Sequence, residues 1–151
     1  MIKIICLGSL KESFFKEACK EYQKRLSKYT KLEIKEIKDE KDDNLTVALK
    51  KEKDKILKEL KEKDNIVLLD INGKDYNSTE FSNFIESELT TNSNITFIIG
   101  SSNGLDEEIK SLTNKKISFS KLTFPHQLFR IILLEQIYRS FKILNNETYH
   151  K

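Results

Sequence analysis

Two runs of apolar residues constrain the fold more than any other feature of this chain. IVLLDI at 66–71 and ITFII at 95–99 are almost uninterrupted series of branched apolar side chains. A strand with no polar face is buried on both sides, as in a parallel sheet covered by helices on both faces. The two runs therefore predict a central, mostly parallel sheet.

Strand and helix patterns alternate five times along the chain. Asn77 with Glu80 predicts a capped helix start, and Pro125 stands where a first helical residue is favoured. The predicted strands are 2–8, 32–37, 66–71, 95–99 and 117–120, and the predicted helices are 11–28, 45–63, 78–90, 105–113 and 125–145. This alternation is typical of βαβ units. With 151 residues and no linker or repeat, we expect one α/β domain over 1–151.

The charge is unevenly distributed. The net charge is only +3, yet residues 65–115 hold 3 basic and 8 acidic side chains, while both flanking segments have a basic excess. That distribution argues against a protein that coats a polyanion, but it allows a local basic patch that meets phosphates. Most individual lysines are also explained as solvated positions on helix faces.

Several classes of protein are disfavoured by what the chain lacks. No stretch of about 18 apolar residues predicts a transmembrane helix, and MIKIICLGSL lacks the pattern of a signal peptide. Cys6 and Cys19 form no CxxC pair, so we expect no disulfide framework and no zinc site, and interpret both as small buried hydrophobic residues. Two histidines are too few for a recognisable metal cluster. We expect a cytoplasmic protein without a metal.

Three segments follow the carboxyl ends of predicted strands, where open α/β sheets bind ligands. They are LLDINGK at 68–74, IIGSSNG at 98–104 and SFSKLTFPHQ at 118–127. Their glycines allow sharp turns and close approach of a ligand to the backbone. A site rich in backbone amides suits a nucleoside such as adenosine. The sequence contains no dinucleotide fingerprint GxGxxG and no P-loop.

The last predicted helix carries apolar residues around nearly its whole circumference. A surface helix needs only one apolar stripe, so the surplus predicts burial against a second copy of the chain. We place Leu133, Ile137 and Phe141 at that interface. The alternative is a central helix buried within one chain.

The three loop segments together resemble a known family. LLDINGK, IIGSSNG and SFSKLTFPHQLFRIILLEQIYRSFKI, with the closing TYHK, are similar to the RlmH-type methyltransferases of the SPOUT class. The resemblance implies an α/β fold with a C-terminal trefoil knot, here within about 66–145, and a homodimer. It also implies an enzyme that uses S-adenosyl-L-methionine to methylate N3 of a pseudouridine in 23S ribosomal RNA of the assembled ribosome.

The resemblance also implies a cofactor site. Its residues are Leu69, Gly100, Phe119, Ser120, Lys121, Leu122, Thr123 and Phe124. From composition and spacing alone, we interpret Phe119 and Phe124 as core residues. Ser120 and Thr123 are interpreted in the same way as capping residues. The chain departs from the family at Ser101, where a second glycine is usual.

Methylation at N3 requires loss of a proton, which a base or an anion-stabilising cation would assist. The candidate catalytic residues are His126, Arg139, Tyr149 and His150. Each has a simpler interpretation: His126 as a polar residue at a helix start, Arg139 as a partner of Glu135, and the last two as a disordered tail. Rival functions are a SPOUT methyltransferase for transfer RNA, a non-catalytic RNA-binding module and a nucleotide-dependent oxidoreductase.

Overall fold

A five-stranded parallel sheet organises the chain. The computed structural model describes all 151 residues. The strands are β1 (Ile2–Leu7), β2 (Leu32–Ile37), β3 (Ile66–Asp75), β4 (Ile95–Ile99) and β5 (Lys116–Ser118). Their order in the sheet is β2-β1-β4-β3-β5, and every neighbouring pair is parallel. The predicted parallel sheet is therefore confirmed.

Five helices connect the strands and cover both faces. They are α1 (Ser13–Leu26), α2 (Leu45–Glu59), α3 (Ser78–Asn92), α4 (Glu107–Ser111) and α5 (His126–Leu144). One core lies under α1, α3 and α5 and includes Ile4 and Phe97; the other lies under α2 and α4 and includes Ile5 and Ile98. Neighbouring residues of one strand enter opposite cores, which explains why β4 is apolar throughout.

Several element boundaries differ from the prediction. The helix expected over 45–63 ends at Glu59, because Lys3 donates a hydrogen bond to the Glu59 carbonyl and Asp64 accepts one from the Lys61 amide. The helix expected over 105–113 covers only Glu107–Ser111. The last strand ends at Ser118.

β3 continues beyond its predicted end, but its pairing with the edge strand β5 is interrupted. Leu69 and Lys74 both pair with Ile117 of β5, so residues 70–73 bulge out of the ladder. A bulge of this kind turns side chains away from the regular pleat. The bulge stands where β3, β4 and β5 end and therefore shapes whatever site lies there.

The environment of α5 corrects the sequence-based choice of interface residues. α5 packs between α1 and α3, and Leu133, Ile137 and Phe141 all belong to the core of the single chain. They cannot be the residues that meet a second copy. Cys6 and Cys19 are also buried, as expected, and burial raises the pKa of the Cys6 thiol to about 12. None of the five helices combines the length and apolar composition needed to cross a lipid bilayer.

Candidate functional site

A cavity, the main cavity of this structure, lies at the carboxyl ends of β3, β4 and β5. Its volume is about 660 Å³, within the range typical of small-molecule sites. The bulge after β3, the turn after β4, the loop after β5 and the start of α5 form its walls. The lining combines apolar residues such as Ile99, Leu105 and Phe124 with Asp70, Lys110 and several hydroxyl groups. Such a lining fits a ligand with a flat apolar ring, hydroxyl groups and charge.

The turn at 100–104 forms the wall beside β4. The Gly104 amide donates to the Ser101 carbonyl at 2.9 Å, which closes the turn. A Cβ atom at Gly100 would lie 2.6 Å from the Gly104 carbonyl oxygen, so only glycine permits this closure. The side chain of Ser101 points to α2, where its hydroxyl donates to the buried Glu52 at 3.0 Å. Ser101 thus lines the cavity, while its hydroxyl is bonded to a residue outside the lining.

The loop after β5 forms the opposite wall. Phe119 packs edge-on against Phe81 at 5.3 Å between ring centroids and also contacts Phe129, while Phe124 stacks on Phe129. The Leu122 amide donates to the Ser120 hydroxyl at 2.9 Å. The aromatic side chains therefore anchor the two ends of a loop whose middle is exposed.

His126 lies where the cavity meets the end of β1. Gly8 has a φ of +91°, and a Cβ atom there would lie 2.5 Å from the His126 Nε2 atom. One turn further along α5, the buried Arg130 donates to the Gly8 carbonyl at 2.8 Å and forms an ion pair with Glu36. The absence of a side chain at Gly8 thus makes room for the imidazole.

A group of polar side chains on α5 and the C-terminal tail forms what we call the tail cluster. Its members are Glu135, Gln136, Arg139, Tyr149 and His150. Glu135 accepts hydrogen bonds from Arg139 at 2.6 Å, from the Tyr149 hydroxyl at 3.2 Å and from Gln136 at 2.6 Å. The guanidinium of Arg139 lies over the Tyr149 ring and 3.3 Å from Nδ1 of His150. Because a guanidinium can only donate, Nδ1 is the acceptor and the ring proton sits on Nε2.

The surroundings of Arg139 and Tyr149 raise the pKa of both groups. The hydrogen bond to Glu135 raises the pKa of Arg139. Burial, with a smaller contribution from Glu135, raises the pKa of the Tyr149 phenol. Both groups therefore remain protonated donors at neutral pH.

The structure divides the sequence-predicted residues into two groups. The main cavity is lined by His126 and by seven of the eight candidate cofactor residues, namely Leu69, Gly100, Phe119, Ser120, Leu122, Thr123 and Phe124. Lys121 is exposed and outside that lining. Arg139 and Tyr149 also lie outside it, and His150 lines a second cavity of about 540 Å³. Phe119 lines both cavities.

Sequence reasoning missed three features of the site. Glu135 was interpreted only as a partner of Arg139, although it holds the tail cluster together, and the i,i+4 spacing was the available signal. Lys110 contributes a cation to the main cavity. The burial of Glu52 could not be predicted from the sequence, because a glutamate among the lysines of an amphipathic helix is expected to be exposed to solvent.

The chain is similar to known proteins over nearly its whole length. A family model described as "Predicted SPOUT methyltransferase" matches residues 1–150. A protein named ribosomal RNA large subunit methyltransferase H from Caldicellulosiruptor saccharolyticus is 52% identical over 154 residues and covers 100% of both chains. A protein of the same name from Clostridium botulinum strain Langeland is 53% identical over 158 residues and covers 99% of each. The similarity thus extends over the residues of the main cavity and of the cluster around Glu135.

The contact between Gly8 and His126 yields the first prediction. Gly8→Ala and Gly104→Ala both place a side chain at a positive φ, but only the first meets another atom within 4 Å. Gly104→Ala should cost about 1 kcal/mol of folding free energy from backbone strain. Gly8→Ala should cost clearly more and shift the imidazole resonances of His126. Urea unfolding and NMR measure the two effects; equal costs with unmoved resonances would contradict the contact.

Proposed function

This chain belongs to the SPOUT methyltransferase family, and we propose that it transfers a methyl group from S-adenosyl-L-methionine to N3 of a pseudouridine in large-subunit (23S) ribosomal RNA. The observation that carries the proposal is the cavity at the carboxyl ends of β3, β4 and β5. The names of the two relatives support the choice of ribosomal RNA as substrate. We propose that the enzyme acts on the assembled ribosome in the cytoplasm.

The lining of the main cavity fits the proposed cofactor. The backbone of the closed turn at Gly100 and the loop at 118–124 would hold the adenosyl group between apolar walls, with Asp70 and the hydroxyl groups available to its polar atoms. Bound there, S-adenosylmethionine would supply a methyl group already activated by a sulfonium sulfur. The protein then has to orient the target base, and positioning contributes up to about 7–11 kcal/mol in favourable cases.

The tail cluster is suited to the other requirement of the reaction. N3 of a neutral pseudouridine carries a proton, which must leave as the new bond forms. Arg139 and His150 retain N–H groups that Glu135 does not accept. The Tyr149 hydroxyl has a single proton, which the Glu135 carboxylate already accepts together with protons of Arg139 and Gln136. The cluster therefore stabilises an anionic base rather than removing the proton itself. The proton can pass to solvent from the open site.

His126 has a different proposed task. Its imidazole lies in the main cavity and is fixed against Gly8, away from the tail cluster. In that position it can contact the bound cofactor and the incoming base. We propose that it orients them, while Arg139 and His150 compensate the charge that develops on the base.

A homodimer completes the proposal. Leu128, Ile132 and Ile143 are half-exposed, lie on one face of α5 and belong to neither core. The helical spacing puts Glu135 and Arg139 on the same face. A second copy packed there would cover the apolar residues and bring the tail cluster of one chain towards the cavity of the other.

We also propose that the cofactor site lies in a trefoil knot within about 66–145. β5 pairs with β3 rather than with β4, and α5 then returns across the sheet face covered by α1 and α3. This path is compatible with a chain that passes through its own loop. Residues 1–151 would form a single methyltransferase domain around it.

The proposed activity predicts methylation of ribosomes that lack the modification. Ribosomes from a strain without the enzyme should accept labelled methyl groups at one pseudouridine, identified by mapping the modified base. Gly100→Val should abolish transfer and cofactor binding, because its Cβ forces the turn open at the Gly104 carbonyl. Asn103→Ala, at an exposed position of the same turn outside the cavity lining, is the matched control. Methyl transfer to free transfer RNA, and not to ribosomes, would refute ribosomal RNA as the substrate.

The dimer proposal predicts contrasting effects of two substitutions on α5. Ile132→Glu should give a folded monomer, because the side chain is half-exposed in the single chain. Ile137→Glu should prevent folding, because that position is 0% exposed and an unpaired carboxylate there costs several kcal/mol. Light scattering and circular dichroism separate the two results. A wild-type chain that stays monomeric at micromolar concentration would exclude the dimer.

The tail cluster predicts that residues 147–151 serve catalysis more than folding. Their deletion removes the Tyr149 and His150 donors, the edge-on contact of Tyr149 with Tyr138, and the contacts of Glu147 with Tyr29 and Lys142. The Glu147 contacts are exposed to water and contribute little to stability. Thermal stability and cofactor binding should change little, while methyl transfer to ribosomes collapses. Deleting Lys151 alone is the control. A truncated enzyme that works at the wild-type rate would rule out this role.

A further inference from the structure

A buried carboxylate lies directly behind the wall of the main cavity. Glu52 stands on α2 in line with Ala48 and Ile56, both of which are buried, and it is itself 1% exposed. Its oxygens accept hydrogen bonds from two neutral donors, the Glu40 amide at 2.9 Å and the Ser101 hydroxyl at 3.0 Å. A carboxylate in such a place is costly unless its oxygens remain bonded.

The bond to Ser101 reaches the turn that forms the wall. The Ser101 hydroxyl donates to Glu52 and accepts from the Asn103 amide at 3.3 Å, while the Ser101 carbonyl accepts from Gly104. The other polar contacts within residues 101–104 are local, and Ser102, Asn103 and Gly104 are exposed. Glu52 is therefore the group that ties this turn to a helix of the scaffold.

We propose that Glu52 is a positioning residue for the cofactor, which holds the turn at 100–104 in its binding conformation through the hydroxyl of Ser101. Glu52 does not line the cavity, so it acts only through Ser101. A turn that is already ordered loses less conformational entropy when the ligand binds, and this increases affinity. The inference rests on the proposed function, since it assumes that the cavity takes S-adenosylmethionine.

The same arrangement explains how the turn accommodates a serine. A side chain at position 101 could obstruct the cavity or loosen the turn. Here the hydroxyl is bonded to a buried acceptor outside the cavity lining, so the serine adds a tether. Glu52 and Ser101 accordingly form one functional unit, and the loss of either partner should have nearly the effect of losing both.

The sharpest test is a pair of variants of equal shape. Ser101→Thr retains the hydroxyl, whereas Ser101→Val replaces it with a methyl group. Calorimetry with S-adenosylmethionine and S-adenosylhomocysteine should show about tenfold weaker binding of both ligands to the valine variant. The threonine variant should bind within about twofold of the wild type. Equal affinities for the valine and threonine variants would overturn the tether, as would a loss confined to the cationic ligand.

Variants of the carboxylate complete the experiment. Glu52→Ala should weaken cofactor binding as Ser101→Val does, and the double variant should be no worse than either. Glu52→Gln, whose amide can bond both partners, should recover most of the affinity. Asp54→Asn, a largely exposed carboxylate on the same helix, is the control. In ribosome methylation the tether variants should raise KM for the cofactor and leave kcat within about twofold.

The outcomes separate this inference from the function on which it rests. A wild-type chain that binds neither ligand would refute the proposed function and the inference with it. A wild-type chain that binds both, with a double variant whose losses simply add, would refute the positioning role and leave the proposed function intact. The two Ser101 variants keep the test valid even if Glu52→Ala fails to fold.

Discussion

The burial of both faces of β3 and β4 is the constraint on which the rest of the structure depends. A strand without a polar face must be covered twice, so α1, α3 and α5 cover one side of the sheet and α2 and α4 the other. Because helices cover both faces of the sheet, the ends of the strands remain accessible, among them the carboxyl ends. The main cavity is formed there by the bulge after β3, the turn after β4 and the loop after β5.

Much of this arrangement could be predicted because it follows from local patterns. Periodicity alone located β2 and β4 at their observed bounds, and the capping pair Asn77 and Glu80 marked the start of α3 correctly. The end of α2 could not be predicted, because it depends on Lys3, a residue 56 positions away in the sequence. Local signals carry no information about such distant partners.

The role of α5 shows the same limit. Its apolar circumference was correctly noticed, but the assignment of Leu133, Ile137 and Phe141 to a contact between chains was wrong, because α1 and α3 bury these residues within one chain. Periodicity records how much of a helix is apolar, not which neighbour covers it. For the candidate site, sequence reasoning grouped residues by type, whereas the structure separates His126 from the cluster around Glu135.

Phe119 connects the two cavities physically. Its ring is a wall of the main cavity and of the second cavity, which His150 also lines. A ligand that displaces this ring changes the free energy of whatever occupies the other side. Thermodynamic linkage then requires the effect to be mutual: if filling one cavity improves the fit of the other by some factor, the reverse holds by the same factor. Two occupants that both shift this ring would therefore affect each other's affinity, with a single aromatic ring as the element they share.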